Sequence, residues 1–231
     1  MRWGRSLSIV AALPLSVPAF GQVPDSLSYS LMMDVRIGGS IESTSRVVAL
    51  VPGTITRTQT SLNAAELLAR TPEGLGAAVR YETGNFPATP YAAVGERFQM
   101  LDGLLLLGGH AFSIVPGYQV RWFSLDQRDR QLMMWRLGFE VGRRAEAIGV
   151  AVRIAGSYLH TPSADKRDSL EADGIDGETH LTYAPPRVPI YIDLGYRRET
   201  LALRKASTLF RREEFSKVML GFGLQYGLSA R

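Results

Sequence analysis

Val218-Met219-Leu220-Gly221-Phe222-Gly223-Leu224-Gln225-Tyr226-Gly227-Leu228 places apolar residues at every even position and mostly small or polar ones at the odd positions. Successive side chains of an extended strand point to opposite faces, so this strict period of two predicts a strand with one apolar and one wet face. In a soluble sheet the apolar face would meet a core. Here the opposite face carries glycines and a glutamine, with little to build a second layer. Similar runs recur along the chain, and the fold they predict is all-β: a membrane-spanning antiparallel up-and-down β-barrel with lipid outside and a polar lumen inside.

The recurrences have the length a tilted transmembrane strand needs, about ten residues. Pro189 to Glu199 alternates Ile190, Ile192, Leu194 and Tyr196 against Tyr191, Asp193, Gly195 and Arg197. Ala147 to Leu159 and Gln131 to Gly142 repeat the pattern, and Ser28 to Gly38 supplies a first strand with Tyr29, Leu31, Met33, Val35 and Ile37 toward lipid. Further strands are expected at Leu75 to Glu82, Leu104 to Val115, Gly117 to Ser124 and Ile175 to Tyr183, with Pro116-Gly117 as a tight turn and Gly108-Gly109 as a bulge. Leu125 to Arg130, Phe86 to Gly103, Thr161 to Gly174 and the charged Leu203 to Glu214 are then long loops at one end, alternating with short turns at the other. Between Ile41 and Arg70 one strand is placed at Thr58 to Arg70, giving about ten in all. Alternatively Arg46 to Thr56 crosses the membrane and Leu62 to Arg70 is a helix, since Ala64 to Arg70 is rich in helix formers. The range of strand counts is eight to twelve.

The N-terminus agrees with export. Arg2 and Arg5 precede the apolar stretch Leu7 to Val17, and Ala19-Phe20-Gly21 offers small residues before Gln22, the form of a cleaved signal peptide over residues 1–21. Residues 22–231 then form the barrel domain, and removal of the two arginines lowers the formal charge from +4 to +2. The absence of cysteine excludes a disulfide framework and thiolate metal sites. The small positive surplus lacks the Lys/Arg clusters that nucleic acid would require, and no apolar run is long enough for a helical membrane span.

These features, with Tyr and Trp near strand ends (Tyr29, Tyr81, Tyr118, Trp122, Tyr158, Tyr196, Tyr226), resemble the small bacterial outer-membrane β-barrel proteins. The resemblance is architectural and covers most of the mature chain. It implies outer-membrane localisation, both termini in the periplasm, a belt of outer-membrane lipid, recognition by the barrel-assembly machinery, and a monomer whose loops contact an extracellular ligand. Members of that class often end on an aromatic residue, whereas this chain continues from Tyr226 to Arg231.

The inward phase of the strands collects Arg36, Arg80, Arg121, Arg136, Arg153, Arg197 and Lys217 against Asp34, Glu82, Glu140, Asp176, Glu178, Asp193 and Glu199. Charges enclosed in a narrow barrel pair because unpaired burial is costly, so a salt-bridged lumen is expected, whereas a selective pore would carry a single-sign ring. Any pocket would run along the wall of Met219, Gly221, Gly223 and Gln225. His180 shares the lumen phase with Asp176 and Glu178, and Ser157 is the nearest candidate hydroxyl, so a hydrolase centred on Ser157, His180 and Asp176 is the enzymatic alternative. Ser163-Ala164-Asp165-Lys166 matches a Ser-x-x-Lys pattern without its companion motifs. No cofactor or metal site is expected, since no two histidines have ligand spacing. The leading expectation is a non-enzymatic barrel with a structural or surface-interaction role, and the alternative a narrow channel for small solutes or lipid-like ligands. Refolded protein should migrate differently in electrophoresis before and after boiling and show β-type circular dichroism; a helical spectrum without a shift would overturn the architecture.

Overall fold

A computed structural model describes residues 31–230 except 52, 89–94, 126–127, 162–169, 186–187 and 206–207. The signal-peptide segment and the Ser163–Lys166 motif lie outside the described residues. Ten strands run β1 Leu31–Leu50, β2 Ile55–Arg70, β3 Gly76–Phe86, β4 Glu96–Gly108, β5 Phe112–Leu125, β6 Arg128–Ala145, β7 Val150–His160, β8 Leu170–Tyr183, β9 Ile190–Lys205 and β10 Thr208–Ala230. Each pairs antiparallel with its sequence neighbours, and β10 returns to β1 from Leu31↔Ala230 to Leu50↔Arg211, closing the barrel. Closure leaves no edge strand whose backbone groups would be stranded in hydrocarbon.

Outward alternation dictates the membrane belt. Phe222, Leu137 and Ile175 are 63%, 62% and 65% exposed, which is a folding penalty in water and a requirement in lipid. On β10 the apolar outward face runs from Val218 to Tyr226; nine residues rising ~3.3 Å each at a tilt near 40° cover about 20 Å, close to the apolar band of such barrels. Tyr81, Trp135, Tyr158 and Tyr196 border the belt toward the end away from the termini, and Tyr183 and Tyr226 toward the terminal end. This is the amphipathic position at which such rings settle at an interface. The chain is a membrane-spanning barrel.

Several expected boundaries move. β1 continues past Gly38 to Leu50; the strand expected at Thr58 to Arg70 forms, beginning at Ile55, and the alternative helix at Leu62 to Arg70 does not, because that backbone pairs with β1 on one side and β3 on the other while Leu62 is buried. Pairing on both sides overrides local helix propensity. The β4–β5 turn lies at residues 109–111, where Gly108 adopts φ +143°, and not at Pro116-Gly117. Pro116 sits inside β5 opposite Leu137 in an unbroken ladder with β6, while pairing on the β4 side lapses between Leu104↔Gly117 and Leu107↔Ile114 without a change of register, which accommodates a residue that cannot donate. The expected long loops Leu125 to Arg130 and Leu203 to Glu214 are mostly strand, closed by two-residue connections at 126–127 and 206–207. Phe86 to Gly103 likewise shortens to a connection at 87–95, and Thr161 to Gly174 to one at 161–169.

Beyond the belt the strands invert their polarity. Arg212, Glu214 and Ser216 face out, while Phe215 joins Leu62, Phe86, Phe98 and Met100 in one inward apolar cluster. A second cluster contains Phe123, Leu132, Met134, Leu159, Leu201 and Leu203. At the end away from the termini the barrel is therefore built like a water-soluble one. Phe222→Arg, at mid-belt, should cost about 2–4 kcal/mol in reversible chemical unfolding in lipid, whereas Arg212→Gln should change little; equal effects would refute the placement of the belt.

Candidate functional site

β10 is a transect of the lumen. From its C-terminal end the inward positions are Gln225, Gly223 and Gly221, then Met219, Lys217, Phe215, Glu213 and Arg211. Small side chains leave space, Lys217 enters a charged layer, and Phe215 enters the apolar seal above it.

The charged layer centres on Arg197, which is 1% exposed. Its guanidinium reaches Asp176 at 2.8 and 3.1 Å, Glu82 and Asp102 at 3.3 Å, and Glu199 at 3.4 Å. Arg136 bonds Asp176 at 2.9 Å and approaches Asp102 at 3.5 Å, Arg121 pairs with Glu199, and Lys217 with Glu82. Arg80 pairs with Glu42 and with Glu82 at 2.9 Å. Arg80, Arg121, Arg136, Arg197 and Lys217 thus meet Glu42, Glu82, Asp102, Asp176 and Glu199, five charges of each sign drawn from eight of the ten strands. A buried arginine tolerates burial only with such partners, and its planar fork serves several carboxylates at once.

Above this layer the apolar clusters carry a second set of charges. Arg46 bonds Glu96 at 2.5 Å and Glu213 at 3.1 Å, with Arg211 on Glu213 at 2.5 Å. Phe98 and Phe215 lie between the two charged layers: Arg121 sits 5.4 and 5.0 Å from their ring centres, and Arg46 lies 5.5 Å from Phe215. The rings thereby serve as cation–π partners as well as packing.

Toward the terminal end the barrel opens into a vestibule of about 850 Å³. Arg70 reaches Glu140 at 2.8 Å, and Arg153 reaches Glu140 at 3.3 Å and Glu178 at 3.6 Å. His180, buried in its wall, holds Asp193 through Nδ1 at 2.6 Å, and the Thr182 hydroxyl donates to the other Asp193 oxygen at 2.6 Å. Asp34 is half exposed at the mouth, 3.9 Å from Arg144. Arg36 lies 5.7 Å from the Tyr191 ring centre with no carboxylate partner among the described residues.

The hydrolytic set does not assemble. Asp176 is held by Arg136 and Arg197 in the central layer, while His180 pairs with Asp193. Ser157 stands opposite Asp176 in the β7–β8 register, and His180 opposite Arg153, four positions along β7. Glu42, Asp102, Glu96, Arg211 and Glu213 are lumen residues that the sequence reading assigned to loops or to the unplaced segment. Their alternation with apolar inward neighbours, as in Arg211-x-Glu213-x-Phe215, is the signal that would have found them.

No protein-family model matches this chain, and no curated protein matches its sequence. Solved structures align along most of it. Neisserial surface protein A is 11% identical, with 82% of this chain and 97% of that one covered and a TM-score of 0.37. Ail, the attachment invasion locus protein of Yersinia pestis, is 11% identical, with coverages of 84% and 98% and a TM-score of 0.32. The toluene transporter TodX of P. putida is 8% identical, with coverages of 86% and 91% and a TM-score of 0.34. The fold itself defines a small closed membrane β-barrel of the outer-membrane type.

Removing the hub arginine while leaving its carboxylates tests the energetics of the layer. Arg197→Met should cost about 3–5 kcal/mol of folding stability, because several buried carboxylates lose their common partner. Arg198→Met, whose partner Glu214 is paired outside the barrel at 2.7 Å, should cost under about 1 kcal/mol. Chemical unfolding of the refolded variants measures both, and similar losses would show that the layer is not specially stabilising.

Proposed function

We propose that the chain is a non-conducting, non-enzymatic integral barrel of a bacterial outer membrane, acting structurally or through contacts made at its polar far end. The carrying observation is the balanced ion layer around Arg197 roofed by the two apolar clusters, which together occupy the lumen where a pore would need a continuous wet path. A conducting barrel would have to give up these contacts, since they fill the lumen at the levels of the ion layer and the apolar clusters.

Loop lengths support an orientation with both termini in the periplasm. Connections at the terminal end run to six residues at most, at 184–189, whereas the far end has the nine-residue connections 87–95 and 161–169, where outer-membrane barrels carry their longer extracellular loops. Lipid would surround the belt, the barrel-assembly machinery would insert the chain, and an extracellular ligand would meet the far-end loops of a monomer. In planar bilayers the refolded protein should give no steady single-channel openings. Regular current steps that change in size with Arg121→Ala or Arg136→Ala would refute the sealed lumen.

A further inference from the structure

We propose that the vestibule is a binding site for a small amphipathic organic anion whose carboxylate or phosphate group is taken by Arg36. Its volume lies in the range of small-molecule sites, and it opens only toward the terminal end among the described residues, with the mouth at Asp34, Arg144 and Gly227 and the floor at Arg80 and Met219. Besides Arg80, which belongs to the balanced layer beneath, five arginines and four carboxylates line it, a small surplus of positive charge. The surplus has an address. Arg70 and Arg153 are engaged by carboxylates, Arg144 is 3.9 Å from Asp34 and Arg143 is exposed, whereas Arg36, half-buried in the wall, has no carboxylate partner among the described residues.

Arg36 is also positioned. Tyr191 is 9% exposed and lies across two strands at glycines: a Cβ at Gly38 would come within 2.9 Å of its Cζ, and one at Gly223 within 2.8 Å of its Cε1. Gly38 on β1 and Gly223 on β10 are paired directly, so their bare backbones make a flat seat for the ring. Arg36 lies over that ring, 5.7 Å from its centre. Stacking on an aromatic face restrains a guanidinium while leaving its donors free, which is the arrangement that receives a planar carboxylate or a phosphate through two parallel hydrogen bonds. Ala64, Leu68 and Met219 give the same cavity apolar surface for the rest of the ligand.

The site goes beyond the sealed-barrel reading and does not depend on it, since conductance and binding are measured separately. Isothermal titration calorimetry on the refolded full-length barrel in a non-ionic detergent tests it, with phenyl phosphate and benzoate as probes and benzyl alcohol and benzylammonium as neutral and cationic counterparts. The anions should bind saturably at one site and the counterparts should not. Arg36→Gln should weaken the anions at least about tenfold, as loss of a charge-assisted pair does, while Arg212→Gln on the outer wall should leave affinity unchanged. Absence of saturable anion binding in the native chain, equal binding of benzylammonium, or unchanged affinity in an Arg36→Gln variant that retains its boiling-dependent migration would each overturn the proposal.

Discussion

Arg197 and the carboxylates of Glu82, Asp102, Asp176 and Glu199 set the constraint on which the lumen depends: within a closed wall, each buried charge needs an opposite charge from another strand. Hydrogen bonding along the strands holds neighbours together but says little about the interior cross-section. Ion pairs from β9 to β3 and β4 span the lumen and so hold walls that do not touch through their backbones. The cost of desolvating so many charges is accepted because lipid outside forbids the alternative of turning them outward.

Much of the architecture was legible because lipid imposes a simple rule on the outward face. The run Val218 to Leu228 is a strand for that reason, and its role as the closing partner of the first strand holds over the full length of β1. The far-end extensions were not legible because the apolar phase reverses there. On β9 the apolar positions are even from Ile190 to Tyr196 and odd at Leu201 and Leu203, so a reader following the lipid-facing phase sees the strand stop near Glu199. The backbone continues while the environment on its two sides changes from lipid and lumen to water and core. The same reversal concealed Glu213, Arg211 and Glu96. Asp102 was hidden by the turn placed at Pro116: proline is a good turn signal, but a single lapse in pairing accommodates it.

The site was partly legible in the same sense. Inward charges could be collected from the period of two, and their sum suggested a neutral lumen, but pairing across a barrel depends on register between strands far apart in sequence. His180 illustrates the limit. Its same-strand neighbours Asp176 and Glu178 were visible, yet Asp193 from the adjacent strand is the partner at 2.6 Å, because β8 and β9 pair Thr182 with Asp193 and bring His180 beside it on the inner face. Alternate residues along a strand have backbones about 6.6 Å apart, which leaves Glu178 at 3.8 Å from the ring, whereas directly paired residues on adjacent strands start closer.

The division of the lumen into a packed far half and an open terminal half follows from side-chain volume. Inward positions beyond the ion layer carry Phe86, Phe98, Phe123 and Phe215, while those toward the termini on β1, β10 and β2 include Gly38, Gly221, Gly223 and Ala64. With a fixed strand number the wall circumference hardly changes along the axis, so replacing phenylalanines by glycines converts filled cross-section into cavity. Glycine adds no side chain to a strand and costs it conformational entropy, so packing alone would disfavour it on this wall. At Gly38 and Gly223 the removed volume is used by the Tyr191 ring, and the ring in turn places Arg36. The open half is thus the product of specific residues, and Arg36, half-buried in its wall with no carboxylate partner among the described residues, gives that space a chemical preference for an anion.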